Sequence, residues 1–213
     1  TFSFQNAKLI TAGEGGIILS NDEELLHNIL LESNCGRDEG DTTYQHVIIG
    51  SNARLSEVQG AILRVQLTRL SEQVKKREEN YKCLVEYLND IQGITLQTID
   101  ANMTVNPHYM IMFYYDKDKF GGASRTEFIE YLKNAGIPAN RSYESIHKLP
   151  VLKKLCTDKW RMKGTKGEDG KLHCSNSERI SEEVVCLSHN ILLGDNGLMK
   201  EVAVLIKNFN SNK

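Results

Sequence analysis

The residues predict an α/β chain, and three patterns carry that prediction. β-branched and aromatic runs read as strands, apolar positions recur at helical spacing between them, and two Ser-x-x-Gln/Glu segments read as helix starts. At the opening, the turn Gly13-Glu14-Gly15-Gly16 precedes the apolar run Ile17-Ile18-Leu19, and its glycines allow a sharp reversal between two strands. Asn21 is expected to cap a helix running to about Ser33, with Leu25, Leu26, Ile29 and Leu30 on one face. A polar loop from Cys35 to Thr43 follows. Ser56 with Gln59 forms a capping-box pattern. Behind it, Val58, Ile62, Val65, Leu70, Val74, Tyr81, Leu84, Leu88 and Ile91 hold near-helical spacing for many turns. That stripe reads as core or dimer interface, and Lys75-Lys76-Arg77-Glu78-Glu79 as a solvated face. Ile94 to Ile99 and His108 to Tyr115 are expected as strands. Ser124 with Glu127 starts another capped helix carrying Phe128, Ile129 and Leu132, stopped by Gly136 and Pro138. A strand at Val184 to Leu187 and a helix from about Asp195 to Phe209 close the pattern. Lys153 to Ser177, rich in lysine and glycine and poor in apolar residues, reads as a long surface loop.

Composition narrows the function. The 213 residues are enough to bury a substantial core in one domain or two. A formal net charge of -2 gives no electrostatic case for nucleic acid. The apolar runs are too short for a membrane helix and no charged-then-apolar leader opens the chain, so no membrane partner is expected. The five cysteines are odd in number, irregularly spaced and without a C-x-x-C pair, which reads as reduced thiols in a cytoplasmic protein. His173 beside Cys174 has no second pair at ligand spacing, so no metal is expected.

Two segments carry chemistry. In Ser3-Phe4-Gln5-Asn6-Ala7-Lys8, a hydroxyl stands five residues before a lysine and just ahead of the Gly-rich turn. A partly desolvated lysine near other cations has a lowered pKa and so supplies the neutral amine that attacks a carbonyl, while a serine hydroxyl donates to a phosphate oxygen without adding charge. The same residues also suit a solvated lysine on a plain hairpin. The stretch has neither the Gly-Lys-Ser/Thr ending of a P-loop nor G-x-G-x-x-G spacing. The second segment is Gly50-Ser51-Asn52-Ala53-Arg54-Leu55-Ser56-Glu57-Val58-Gln59-Gly60-Ala61, at the start of the long helix.

In this order and separation, the two segments resemble the DegT/DnrJ/EryC1/StrS aminotransferases, enzymes of the fold-type-I class that use pyridoxal 5'-phosphate (PLP). The resemblance implies that Lys8 binds the cofactor aldehyde and carries protons, and that Ser3 holds the cofactor phosphate. It also implies that Asn52 reaches the phosphate of a neighbouring subunit in a homodimer. Arg54, a fixed fork of donors, suits the cofactor edge or the dimer interface, or equally a salt bridge anchoring the helix start. Residues 1–70 then correspond to the end of the large PLP-binding domain and 71–213 to the small C-terminal α/β domain, with the hinge along the long helix. Thr1 is not an initiator methionine and the motifs begin at once. The chain is therefore expected to be the C-terminal half of a longer protein and inactive alone. The aromatic residue that stacks on PLP and the Asp that pairs with its pyridine nitrogen have no counterpart in these residues.

Further marks are Phe120-Gly121-Gly122-Ala123-Ser124-Arg125, Gly136-Ile137-Pro138, Tyr143 with His147, and Cys186-Leu187-Ser188-His189 followed by Leu192-Leu193. They resemble two branches, the glutamine-dependent aminotransferases of keto-inositols and the 3-amino-5-hydroxybenzoate synthases. Family sugar aminotransferases commonly have His where Tyr109 and Ser142 stand here, a departure that weakens a nucleotide-sugar assignment. Tyr109, Tyr143 and His147 are the candidate substrate residues; Tyr143 and His147 equally suit ordinary loop packing. The expected reaction moves an amino group from glutamine or glutamate to a cyclic keto acceptor, a keto-inositol or ketosugar. Two alternatives stand beside it: an aromatising enzyme like the aminohydroxybenzoate synthases, and an inactive dimer-forming scaffold.

Overall fold

A computed structural model describes residues 1–155 and 173–209. The chain divides into two compact units, Thr1–Gln73 and Val74–Lys213, each considered by itself.

In the first unit, β1 (Phe2–Ser3) and β2 (Gly16–Ile17) pair antiparallel, with Phe2 opposite Ile17 and Ser3 opposite Gly16. The long turn between them is closed by Phe4 N donating to Gly15 O at 2.8 Å and by Thr11 Oγ1 and Ala12 N donating to Phe4 O at 2.9 and 3.1 Å. Helix α1 (Glu23–Ser33) is capped by Asp22 rather than Asn21. Asp22 has the extended backbone of a cap, and its Oδ1 takes the Leu25 N–H at 3.0 Å, a donor three residues on that Asn21 stands one residue too far back to serve. Beyond α1 the chain folds tightly on itself. Gly36 is at φ +78°, and a Cβ there would lie 1.9 Å from the carbonyl oxygen of Ile48, so only glycine allows this approach. Ser51 N donates to Glu32 O at 2.7 Å, and Asn52 bridges antiparallel to Asn34.

Helix α2 (Glu57–Leu88) opens as the Ser56/Gln59 pattern predicts, with Ser56 N on Gln59 Oε1 at 3.1 Å and Gln59 N on Ser56 Oγ at 3.3 Å. The apolar stripe is only partly core. Tyr81, Leu84 and Leu88 are buried, whereas Val58, Ile62 and Val65 are exposed and Leu63 is the buried residue of that stretch. The solvated reading of residues 75–79 needs correction at Arg77, which is 1% exposed. Helical phase explains this: Arg77 stands four, seven and eleven residues before Tyr81, Leu84 and Leu88, on their face of the helix.

The second unit is built on a four-stranded antiparallel sheet ordered β3 (Ile94–Leu96), β4 (Met110–Tyr115), β6 (Val184–Ser188), β5 (Ala139–Arg141). Both predicted strands at 94–99 and 108–115 are shorter than expected. The first ends at Leu96, and the second begins at Met110 because His108 has φ 49°, which a strand cannot accommodate. Ile111, Phe113 and Tyr115 alternate into a core shared with Leu84 and Leu88 of α2, Phe128 and Leu132 of α3 (Arg125–Asn134), and Met199, Val202 and Ile206 of α6 (Asn196–Asn208). Ser124 and Glu127 form the full reciprocal capping box of α3. The edge strand β5 and two helices, α4 (Pro150–Leu155) and α5 (Ser175–Glu183), were not expected. Their presence corrects both ends of the supposed 153–177 loop, whose middle, 156–172, lies outside the described residues. Cys35, Cys83, Cys174 and Cys186 are free cysteines, and among the described residues no helix is long and apolar enough to cross a membrane.

Candidate functional site

Lys8 and Ser3 belong to one hairpin. Ser3 ends β1, its Oγ accepting the Gln5 N–H at 3.3 Å, and Lys8 follows in the turn, its backbone N–H donating to Gln5 O at 2.9 Å. A hydroxyl and an amine are thus carried on one short, cross-bonded loop, whose root is the buried Phe4.

The segment of Asn52 and Arg54 is tied directly to that hairpin. Gln59 Nε2 donates to Glu14 O at 2.9 Å, so the residue that caps α2 also grips the Gly-rich turn. Beside it, Gly15 sits at φ +124°, and a Cβ there would come within 2.7 Å of Leu55 Cδ1. The two motif segments therefore abut inside the first unit. The Gln59 bond and the Gly15 contact were missed in the sequence because each joins residues some forty positions apart.

Within the second segment, Asn52 Oδ1 accepts from Arg54 N at 3.4 Å, a turn that orders the side-chain amide. Arg54 Nη1 donates to Asn34 Oδ1 at 2.9 Å and lies 3.8 Å from Cys35 Sγ. Among the described residues its partners are neutral, and no ion pair anchors the helix start. A second arginine, Arg37, lies over the Tyr44 ring at 4.3 Å and pairs with Asp41 at 3.3 Å. The Thr43 hydroxyl and backbone N–H on the same carboxylate, together with Arg37, hold Asp41 down to a pKa of about 2.

The candidate substrate residues occupy two settings in the second unit. Tyr109, just before β4, stacks on His189 with ring centroids 5.7 Å apart. Tyr143 and His147 lie in the connection from β5 to α4, but they differ sharply: Tyr143 is 77% exposed, whereas the His147 side chain is largely buried with Nε2 2.9 Å from Glu178 Oε1. Ser142 is turned inward, donating from Oγ to Ile180 O at 2.7 Å. Sequence reading missed Glu178 because it lies just past the supposed loop and its partner His147 stands 31 residues away. Glu178 is held to a pKa of about 2 by the Cys174 backbone N–H, Lys148 and His147.

The chain is 35% identical to the 3-amino-5-hydroxybenzoate synthase of Amycolatopsis mediterranei over 214 residues, covering 97% of this chain and 52% of that protein. It is 28% identical to the L-glutamine:2-deoxy-scyllo-inosose aminotransferase of Streptoalloteichus tenebrarius over 223 residues, covering 97% and 51% respectively. A crystal structure of 3-amino-5-hydroxybenzoic acid synthase superposes with a TM-score of 0.83 at 32% identity, covering all of this chain and 54% of the other. The chain thus has the α/β fold of the fold-type-I PLP enzymes and spans about half the length of the relatives it matches. With a family model matching residues 1–204, across both motif segments and both units, the chain belongs to the DegT/DnrJ/EryC1/StrS aminotransferase family.

Proposed function

We propose that the whole protein is a PLP-dependent aminotransferase that moves an amino group from glutamine or glutamate to a cyclic ketone, with a keto-inositol favoured as acceptor. The observation that carries this reading is the abutment of the Lys8 hairpin with the Asn52 segment, bonded through Gln59 to Glu14. An amine and a hydroxyl on one rigid turn suit an aldehyde and a phosphate on one small molecule, so these residues fit the cofactor.

In this reading residues 1–70 complete the PLP-binding domain and 71–213 form the small domain. Bound PLP supplies an electron sink. The chain's own residues do the rest. The Lys8 amine would hold the cofactor aldehyde and would carry a proton to and from the substrate carbon. Ser3 would donate to its phosphate. Asn52, its Oδ1 occupied by Arg54 N, would offer its amide N–H groups to the phosphate of a neighbouring subunit in a homodimer, and Arg54 braces that segment through Asn34. Tyr109 and Tyr143 offer neutral hydroxyls to a polyhydroxylated acceptor. A cytoplasmic setting fits the free cysteines.

Aromatisation of a cyclic keto acid is the second reading, favoured by the 35% identity to the aminohydroxybenzoate synthase. Product analysis separates the two: whole protein is incubated with PLP and glutamine plus either a keto-inositol or a cyclic keto acid. An aminocyclitol from the first mixture supports aminotransfer. An aromatic product from the second alone overturns it in favour of the synthase reading, and no turnover of either by cofactor-loaded protein leaves the scaffold reading in place.

A further inference from the structure

Four side chains fasten the connection from β5 to α4 onto α5. Ser142 Oγ donates to Ile180 O at 2.7 Å, and Ser177 Oγ lies 3.2 Å from Ser145 Oγ. His147 Nε2 is 2.9 Å from Glu178 Oε1, and Lys148 Nζ is 3.2 Å from Glu178 Oε2 and 3.6 Å from Glu182 Oε1. Glu178 is the hub, since its Oε1 also accepts the Cys174 N–H at 3.1 Å and both its oxygens are engaged. The anchors are shielded, with side-chain exposures of 9% for His147 and 23% for Glu178. Tyr143, in their midst, is 77% exposed.

The backbone is therefore held on both sides of a tyrosine that itself projects outward. Capping α5 requires only one carboxylate oxygen for the Cys174 N–H; the second oxygen and the buried imidazole are spent on the loop. A long side chain on an unfastened loop would lose much of its binding free energy to ordering. We infer that Glu178 is a positioning residue, which clamps residues 142–148 through His147 and Lys148 and so holds the Tyr143 hydroxyl in place for a hydroxyl of the acceptor. This rests on the reading above that Tyr143 meets the acceptor, and it makes His147 an anchor rather than a group that touches substrate.

The test uses whole, cofactor-loaded protein in wild-type, Glu178→Ala, Glu178→Gln and Tyr143→Phe forms. Amide hydrogen exchange of residues 142–148 is measured alongside the separate donor and acceptor half-reactions with a keto-inositol. In Glu178→Ala, exchange of the loop should quicken about tenfold and the acceptor KM rise about five- to tenfold, with kcat and the donor half-reaction within about twofold of wild type. Glu178→Gln keeps an acceptor atom for His147 and the Cys174 N–H but loses the charge facing Lys148, so it should fall between; it also carries the test if the alanine variant does not fold. A merely structural glutamate would lower both half-reactions together. Unchanged loop exchange in both Glu178 variants overturns the clamp. Quickened exchange with an unchanged acceptor KM overturns the positioning role. If Tyr143→Phe leaves the acceptor step intact while the Glu178 variants raise its KM, the clamp stands and the assignment of Tyr143 fails.

Discussion

Arg77 gives the sharpest energetic test of the fold. The residue is 1% exposed, burial pushes its pKa below the ordinary arginine value, and its Nε and Nη1 have no hydrogen-bond partner among the described residues. A buried polar group without a partner costs about 1–3 kcal/mol, and an arginine stays protonated rather than shed the charge. Methionine matches the length of the stem, is flexible enough to fill the space, and brings nothing that needs a partner. Arg77→Met should therefore stabilise the protein by about 2 kcal/mol. At about 2–4 °C per kcal/mol for a chain of this size, that is a rise in Tm of about 4–8 °C. Thermal unfolding followed by circular dichroism, with a urea titration to confirm that the m-value is unchanged, measures it. A fall in Tm would refute the reasoning, because it would mean that the guanidinium has an acceptor in the folded protein and that the charge is compensated.

Other consequences follow from the same contacts. Gly36→Ala drives a Cβ to 1.9 Å from Ile48 O at a positive φ, and should cost about 3 kcal/mol or more in a urea unfolding titration; a loss under about 1 kcal/mol would show that the 36–48 crossing yields readily. Because Glu178 has its pKa depressed from 4.5 to about 2 in the fold, its contribution is complete above about pH 4.5 and is lost as pH falls toward 2. The Tm difference between wild type and Glu178→Gln should accordingly be constant at neutral pH and shrink across that acid window; a difference that grows on acidification would contradict the sign. If Asn52 serves the neighbouring subunit, mixing inactive Lys8→Ala with inactive Asn52→Ala whole protein should restore part of the activity through dimers with one intact site. No recovery, with subunit exchange shown independently, would place Asn52 in its own subunit's site.

What the residues revealed in advance was local. The Ser56/Gln59 and Ser124/Glu127 boxes each close within four residues, so spacing alone identified them. The interior strands β4 and β6 stood out because alternating or continuous apolar residues have few other uses. Strand β5 did not, since Ala139-Asn140-Arg141 has no strand-like composition and forms only because β6 offers an edge to pair with. Arg77 was misplaced and Glu178 went unremarked, since neither setting is local in the chain. Charge marked Arg77 as solvated and only helical phase takes it out of water, while Glu178 is tied to an imidazole 31 residues away. At the site, both motif segments were visible as patterns, whereas their abutment through Gln59 and Leu55 needed the fold.

The proposal that Lys8 carries the cofactor is tested most directly by reducing PLP-loaded whole protein with borohydride and mapping the modified peptide by mass spectrometry. A single pyridoxyl label on Lys8 is expected, with the visible cofactor absorption bleached on reduction and both label and absorption lost in Lys8→Ala. A label on another lysine, or bound PLP that borohydride leaves unattached, would contradict it.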